Sequence, residues 1–152
     1  MTIPRYHCFY LALPYDIKMR FLSIVKKDGK QKDPISIVRK GYQAYVDKDR
    51  VAIEALISDD FHFTSPLDNR IDREAYFKRC WPNSETIAGF EFFHLTKDGE
   101  RVFVTYEGRN TNGKHFRNTE VLTVRNGKII EVEVYFGWSI PHKAAMGGFI
   151  DE

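Results

Sequence analysis

The sequence predicts an α+β domain in which helices come first and an antiparallel β-sheet follows. Apolar residues recur at helical spacing over much of residues 34–81 and at every second position over residues 87–138. The second half is divided by three turn pairs of the kind most typical of β-hairpins: Asp98-Gly99, Asn112-Gly113 and Asn126-Gly127. This order of elements indicates that the helices pack on one face of the sheet.

The helical half begins at Pro34, which suits the first turn of a helix whose N-cap is Asp33. The later elements of this half follow in order: a short helix at residues 51–57, a strand at residues 61–65, a loop at residues 67–71, and a helix that Asp72 caps and Pro82 closes. Four strands are predicted in the second half, at residues 87–95, 102–109, 115–125 and 129–138.

The chain is predicted to hold one folded domain with an extension at each end. Residues 1–33 form an N-terminal extension, because the lysine-rich stretch KKDGKQKDP has the composition of a linker. This extension either has no functional role or adds a strand that docks on the sheet or on a partner. The domain itself covers residues 34–142, and residues 143–152 form a C-terminal tail.

Composition and charge exclude several classes of protein. The 152 residues carry a formal net charge of +2, which gives no electrostatic basis for binding nucleic acid. No run approaches the roughly 20 apolar residues of a membrane helix. Cys8 and Cys80 lack metal-ligand spacing, as do the histidines. We therefore expect free thiols, a cytoplasmic location, and neither a metal nor another cofactor.

One strand carries a carboxylate on its apolar face. In the segment HFRNTEVLTV, alternation places five residues on the same side of the strand: Phe116, Asn118, Glu120, Leu122 and Val124. A carboxylate on this side needs a partner or a raised pKa, because desolvation disfavours its charged form. Glu120 therefore belongs either to a structural hydrogen-bond network, with Asn118 and Tyr42, or to a site that performs chemistry.

Three stretches of the chain resemble the nuclear transport factor 2-like superfamily, particularly its SnoaL-like members and the ketosteroid isomerases. They are AYVDKDRVAIEALISDDFHFTSP, DREAYFKRC and TEVLTVRNGKIIEVEVYFG, and the resemblance runs from about Ser36 to His142. It implies a cone-shaped, curved antiparallel sheet wrapped around the N-terminal helices, the cystatin-like arrangement, with an apolar pocket inside. This fold hosts enzymes, carriers and interaction modules, so the resemblance specifies a fold more closely than an activity.

The resemblance to ketosteroid isomerases also implies site residues. Those enzymes use a carboxylate base at the end of the first strand, and stabilise the enolate oxygen with a helical tyrosine and a protonated carboxylic acid. Glu120 matches the acid, and Tyr42 matches the tyrosine, with Tyr45 one turn further along as its competitor. Ser65 stands where the base is expected and cannot act as one. Asp68 is the nearest carboxylate that could take its place.

The hairpin at residues 112–113 gives an expected register and pocket lining. A symmetric loop pairs Thr105 with Glu120 and turns Phe103, Thr105 and Glu107 inward, although a one-residue bulge would reverse part of this assignment. On the last strand the resemblance places Val134 and other alternate residues inward. The predicted ligand-binding residues are Phe61, Phe63, Ser65, Phe103, Thr105, Asn118, Val134 and Phe136, with Trp138 as a further candidate at the pocket mouth.

The outward face of the predicted sheet is too apolar to remain in water. It is expected to carry Val102, Val104, Tyr106, Val121 and Tyr135. Members of the superfamily commonly dimerise through this face, so a homodimer is expected here.

Two functions follow from these residues. The first is an isomerase- or lyase-type enzyme for a small apolar carbonyl compound, in which protonated Glu120 and Tyr42 stabilise an oxyanion. Asp68 or an outside water then handles the proton. The alternative is a non-catalytic small-molecule binder or a dimeric scaffold, which the serine at position 65 favours.

Overall fold

The computed structural model describes residues 33–150. The expectations for the N-terminal extension and for Cys8 lie outside this range. Within it, three α-helices, one 3₁₀ helix and six strands follow in chain order: α1 (Pro34–Asp47), α2 (Arg50–Leu56), β1 (Ile57–Ser65), β2 (Asp68–Asp72), α3 (Arg73–Arg79), the 3₁₀ helix (Trp81–Thr86), β3 (Ile87–Asp98), β4 (Arg101–Asn110), β5 (His115–Arg125) and β6 (Lys128–Ile140).

Aspartate side chains start all three α-helices. Asp33, Asp49 and Asp72 each accept a hydrogen bond from the backbone amide three residues further along, which satisfies one of the free amides of the first turn. The caps predicted at Asp33 and Asp72 are confirmed. Helix α1 stops at Asp47 because the next residue, Lys48, takes a left-handed conformation with φ 58°.

The six strands form one open sheet with the order β2-β1-β6-β5-β4-β3. All neighbouring strands pair antiparallel except β1 and β6, which run parallel. The predicted α+β, cone-like fold is therefore confirmed, with a mixed sheet instead of a purely antiparallel one. Helix α1 lies against the inner face and buries Ile37 and Val38 in a core shared with Phe61 and Val104.

The hairpin between β4 and β5 has a register one residue away from the predicted one. Arg109 pairs with His115, and Val104 pairs with Glu120. The loop is asymmetric because Gly113, at φ 81°, adds one left-handed residue on the β5 side, as in hairpins with a glycine bulge.

This shift reverses the two faces of β4, because side chains alternate along a strand. Val102, Val104 and Tyr106 are buried on the inner face, so their predicted outward position is wrong. The predicted inward position of Phe103, Thr105 and Glu107 is wrong for the same reason. The inner face predicted for β5 is unaffected.

The loop predicted at residues 67–71 is a strand instead. β2 pairs antiparallel with β1, with Ser65 opposite Asp68 and Phe63 opposite Ile71, which leaves a two-residue turn. The sequence DNRID has little β propensity. Its pairing with β1 at the edge of the sheet decides its conformation.

Candidate functional site

A cavity of about 270 Å³ lies between α1 and the inner face of the sheet. Most of its wall is apolar, and aromatic rings from both halves of the domain contribute to it: Phe61, Phe63, Tyr76, Phe90, Phe116 and Phe136. An apolar cavity with a few polar groups is the usual form of a small-molecule site.

Three side chains form the central polar group of this cavity, which we call the Glu120 cluster. The Tyr42 hydroxyl donates a hydrogen bond to Glu120 Oε2 over 2.7 Å. The Tyr106 hydroxyl donates to Glu120 Oε1 over 2.8 Å. One carboxyl group is thus held by two phenols that come from α1 and β4.

Neighbouring rings hold Tyr42 in place. Phe90 and Phe92 stand edge-on to its ring, each with centroids 5.0 Å away. The Tyr106 ring lies 5.4 Å away in the same edge-on arrangement. Aromatic pairs favour this geometry, so the two hydroxyls are fixed before any ligand enters.

The environment controls the protonation of the cluster. Burial raises the pKa of Glu120 above its ordinary value, and the hydrogen bonds from Tyr42 and Tyr106 oppose that rise only in part. Burial and then the nearby Glu120 charge raise the pKa of both tyrosines. The phenols therefore keep their protons and remain donors, while Glu120 is the group that can change charge.

A second polar group lines the same cavity and consists of Ser65 and Asp68. Ser65 Oγ donates to Asp68 Oδ2 over 2.8 Å, and it accepts a hydrogen bond from the Leu67 amide over 3.1 Å. The Arg79 guanidinium pairs with Asp68 Oδ1 over 2.5 Å, and the Asp68 side chain is only 9% exposed. Asp68 is thus close to the position that Ser65 occupies on β1.

Strand pairing relates this group to the Glu120 cluster. Thr64 pairs with Glu133 across β1 and β6, and Val134 pairs with Glu120 across β6 and β5. Ser65 and Glu120 therefore belong to one row across the inner face, two strands apart. At 4.7–4.9 Å per strand, their backbones lie roughly 10 Å from each other.

The structure places most of the predicted site residues on the cavity wall. They are Tyr42, Phe61, Phe63, Ser65, Asp68, Asn118, Glu120, Val134 and Phe136, together with the competitor Tyr45. Both Tyr42 and Tyr45 reach the cavity, but Tyr42 is the one bonded to Glu120. Tyr45 instead donates to the Cys80 carbonyl over 3.0 Å.

Three predicted ligand-binding residues do not line the cavity: Phe103, Thr105 and Trp138. Phe103 and Thr105 face outward because of the register shift, and Thr105 hydrogen-bonds Thr119 there. Trp138 follows a bulge at Gly137 and pairs with Arg117. A Cβ at position 137 would lie 2.2 Å from the Arg117 carbonyl oxygen, so only glycine fits this close approach.

Sequence reasoning missed Tyr106, the second donor to Glu120. The sequence contained a signal for it, because Val102, Val104 and Tyr106 form a more apolar series than the residues between them. The register expected from the Asn112-Gly113 turn placed this series on the opposite face. Asn83 and Cys80, which also line the cavity, come from the 3₁₀ helix and the residue before it.

Two further features of residues 33–150 concern metal binding and membrane insertion. No group of three or more histidine, cysteine, aspartate or glutamate side chains in this part of the chain is arranged to hold a metal ion. Among the helices described here, none is long and apolar enough to cross a membrane.

Comparison with known families assigns the domain. The model of the SnoaL-like domain matches residues 38–132, which is more than half of the chain and includes the whole Glu120 cluster. The chain belongs to the SnoaL-like family. Its membership places this SnoaL-like domain in the nuclear transport factor 2-like superfamily, as the resemblance predicted. No curated protein matches the chain.

Solved structures support the same fold. An NTF2-like protein of unknown function from Cytophaga hutchinsonii is 20% identical, with a TM-score of 0.59, covering 72% of this chain and 94% of its own. An NTF2-like protein from Burkholderia thailandensis is 25% identical, with a TM-score of 0.54 and coverages of 68% and 90%. A Sinorhizobium meliloti protein, named provisionally as a polyketide cyclase, is 19% identical, with a TM-score of 0.57 and coverages of 66% and 94%.

Proposed function

We propose that the cavity binds a small, largely apolar molecule through a carbonyl or enol oxygen, and that this SnoaL-like protein is an isomerase- or cyclase-type enzyme. The observation that carries the proposal is a half-buried carboxyl with two tyrosine donors inside an apolar cavity. The provisional naming of the Sinorhizobium meliloti neighbour as a polyketide cyclase agrees with this type of activity.

The Glu120 cluster can receive a ligand oxygen when Glu120 is protonated. The carboxyl proton then forms a hydrogen bond to a tyrosine oxygen or to the ligand itself. A tyrosine whose oxygen accepts this hydrogen bond no longer donates to Glu120, so its own O–H can donate to the ligand oxygen. Negative charge that develops on that oxygen is stabilised by donors in a water-poor cavity, where hydrogen bonds to charge are strong.

Asp68 is the group that we assign to proton transfer. Its carboxylate removes a proton from the carbon next to the carbonyl. The electrons of that C–H bond form a carbon–carbon double bond, and the carbonyl electrons move to the oxygen held by the Glu120 cluster. Where the substrate has a carbon–carbon double bond conjugated with this enolate, return of the proton to the far carbon of that double bond shifts the double bond and gives an isomer. The spacing of roughly 10 Å between the two polar groups leaves room for a ring system.

The second candidate function is binding without catalysis. The Glu120 cluster and the Ser65–Asp68 group are already satisfied: both Glu120 oxygens accept hydrogen bonds, and Asp68 is paired with Arg79 and Ser65. Such a closed network also occurs in purely structural cores. A binder or scaffold uses the same cavity but moves no proton.

Two measurements separate these functions. Titration with 2-naphthol, followed by its fluorescence, tests binding of an oxygen donor, and exchange of the α-protons of 2-tetralone in D₂O, followed by NMR, tests proton transfer. We expect Glu120→Gln and Tyr106→Phe to weaken binding by about tenfold, roughly one charge-assisted hydrogen bond. We expect Asp68→Asn to abolish exchange while leaving binding intact.

The control variant is Tyr135→Phe, which removes an exposed hydroxyl outside the cavity and leaves both readouts unchanged. If 2-naphthol binding depends on Glu120 but no α-proton exchange of 2-tetralone occurs, the protein is a binder and not an enzyme. Binding that does not depend on Glu120 or Tyr106 contradicts the proposal as a whole.

We further propose that two copies associate through the outer sheet face. Phe93, Tyr135 and Trp138 expose about half of their surface, at 46%, 56% and 49%, and aromatic side chains are typical of interfaces. Light scattering after size-exclusion chromatography is expected to show twice the 17.8 kDa of one chain. A species of one chain mass at micromolar concentration contradicts this association. We also propose a cytoplasmic location, because Cys80 is buried and forms no disulfide within residues 33–150, as expected in a reducing compartment.

A further inference from the structure

The polar side chains of the cavity differ in how many of their donors and acceptors already have a hydrogen-bond partner. The Glu120 cluster and the Ser65–Asp68 group are bonded internally, and Asn118 Oδ1 accepts a hydrogen bond from the Gly137 amide over 3.2 Å. The Asn83 carboxamide differs from them, because within residues 33–150 its side chain makes no hydrogen bond. It therefore offers two donors and one acceptor to whatever enters the cavity.

Asn83 lies at the mouth of the cavity. Asn83 is an exposed residue of the cavity wall. Leu67 and Phe136 also line the cavity, and they are 73% and 51% exposed. These three residues come from the 3₁₀ helix, the β1–β2 turn and β6, so they surround the entrance from different elements. Asn83 is the polar residue of this exposed set.

Backbone bonds place Asn83 on the Asp68 side of the cavity. Its amide donates to the Cys80 carbonyl over 3.1 Å. Arg79, the residue before Cys80, pairs with Asp68 Oδ1 over 2.5 Å. Asn83 therefore lies near the end of α3 that contacts the Ser65–Asp68 group, and the row from Ser65 to Glu120 spans roughly 10 Å of the inner face.

We propose that the ligand carries a second oxygen function on the edge opposite its carbonyl or enol oxygen, and that Asn83 binds this second oxygen and selects for it. The ligand class is a rigid, apolar ring system with oxygen atoms on two opposite edges. The inference rests on the proposed function, because the Glu120 cluster must hold the first oxygen. An asparagine that is merely hydrated at the mouth makes no such selection.

Two matched ligands test the selection. In 6-methyl-2-naphthol and 2,6-dihydroxynaphthalene the group on the far edge is a methyl or a hydroxyl of similar size. We expect the wild-type protein to bind the diol about fivefold more tightly than the methyl compound, the effect of one neutral hydrogen bond. Asn83→Leu, which keeps the size of the side chain, is expected to remove this preference.

The control variant is Glu85→Gln, which changes an exposed residue of the same 3₁₀ helix that does not line the cavity. It is expected to keep the fivefold preference, and Asn83→Ala is expected to lose it as Asn83→Leu does. A wild-type protein without preference, or an Asn83→Leu variant with the full preference, overturns the inference. Failure of the proposed function gives a different result: 2-naphthol then binds to Glu120→Gln and Tyr106→Phe as tightly as to the wild type.

Discussion

Replacement of Glu120 by glutamine is expected to change the stability of the domain in a pH-dependent way. Burial raises the pKa of Glu120 in the folded protein above the 4.5 of an exposed glutamate. Between these two pKa values the folded state binds the proton more tightly than the unfolded state, so raising the pH destabilises the wild-type protein. Glutamine resembles protonated glutamate in shape and cannot ionise.

The magnitude follows from proton linkage alone. Below pH 4.5, Glu120 is protonated in both the folded and the unfolded wild type. The unfolding free energy of the variant then differs only through its altered hydrogen bond to one tyrosine, by about 1 kcal/mol. Above that pH, the unfolding free energy of the Glu120→Gln variant rises relative to that of the wild type, by up to about 1.36 kcal/mol per pH unit. The gain stops when the pH passes the folded-state pKa of Glu120.

Urea unfolding followed by tryptophan fluorescence, at steps from pH 4 to pH 9, measures this difference. The pH at which the difference levels off reports the folded-state pKa. In a Tyr42→Phe background the levelling-off pH is expected to rise, because a hydrogen bond that lowers the Glu120 pKa has been removed. A difference that is constant with pH refutes the reasoning. A difference that shrinks with rising pH refutes it too, because the tyrosines then outweigh burial.

Three further predictions concern single side chains. Tyr106→Phe leaves one Glu120 oxygen without its donor and is expected to cost about 1–3 kcal/mol of unfolding free energy, whereas an unchanged urea midpoint shows that the bond adds no stability. Gly137→Ala places a Cβ against the Arg117 carbonyl and is expected to lower the unfolding free energy by about 1–3 kcal/mol. A decrease below about 0.5 kcal/mol means that the bulge rearranges easily. Tyr135→Lys adds a charge to the proposed interface and is expected to give monomers by light scattering, and an intact dimer places the interface elsewhere.

Local signals in the sequence were sufficient for the parts of the fold that depend on local physics. Asp33 and Asp72 were predictable as helix caps because a cap needs only a short polar side chain before a helical pattern. The hairpins were predictable from their turn pairs. The inner face of β5, with Glu120 on it, followed from alternation within one strand.

Features that depend on the exact register were not predictable in this way. One left-handed residue, Gly113, moves β4 by one position and exchanges Tyr106 with Thr105 on the inner face. The bulge at Gly137 likewise moves Trp138 away from the cavity. A single residue reverses the faces of a strand, and a turn pair does not specify how many residues its loop holds. For β4, only the apolar series Val102, Val104 and Tyr106 indicated the correct face. Asp68 was predicted as the nearest carboxylate to Ser65, but its position on the cavity wall depends on the pairing of β2 with β1, which the sequence did not predict.

The most direct test of the account is a crystal structure of the protein soaked with 2-naphthol. We expect the naphthol ring inside the cavity, with its oxygen 2.5–3.0 Å from at least one oxygen of the Glu120 cluster, the usual range for such bonds. A naphthol bound only on the outer sheet face, or bound in the cavity with its oxygen turned away from Glu120, Tyr42 and Tyr106, contradicts the account.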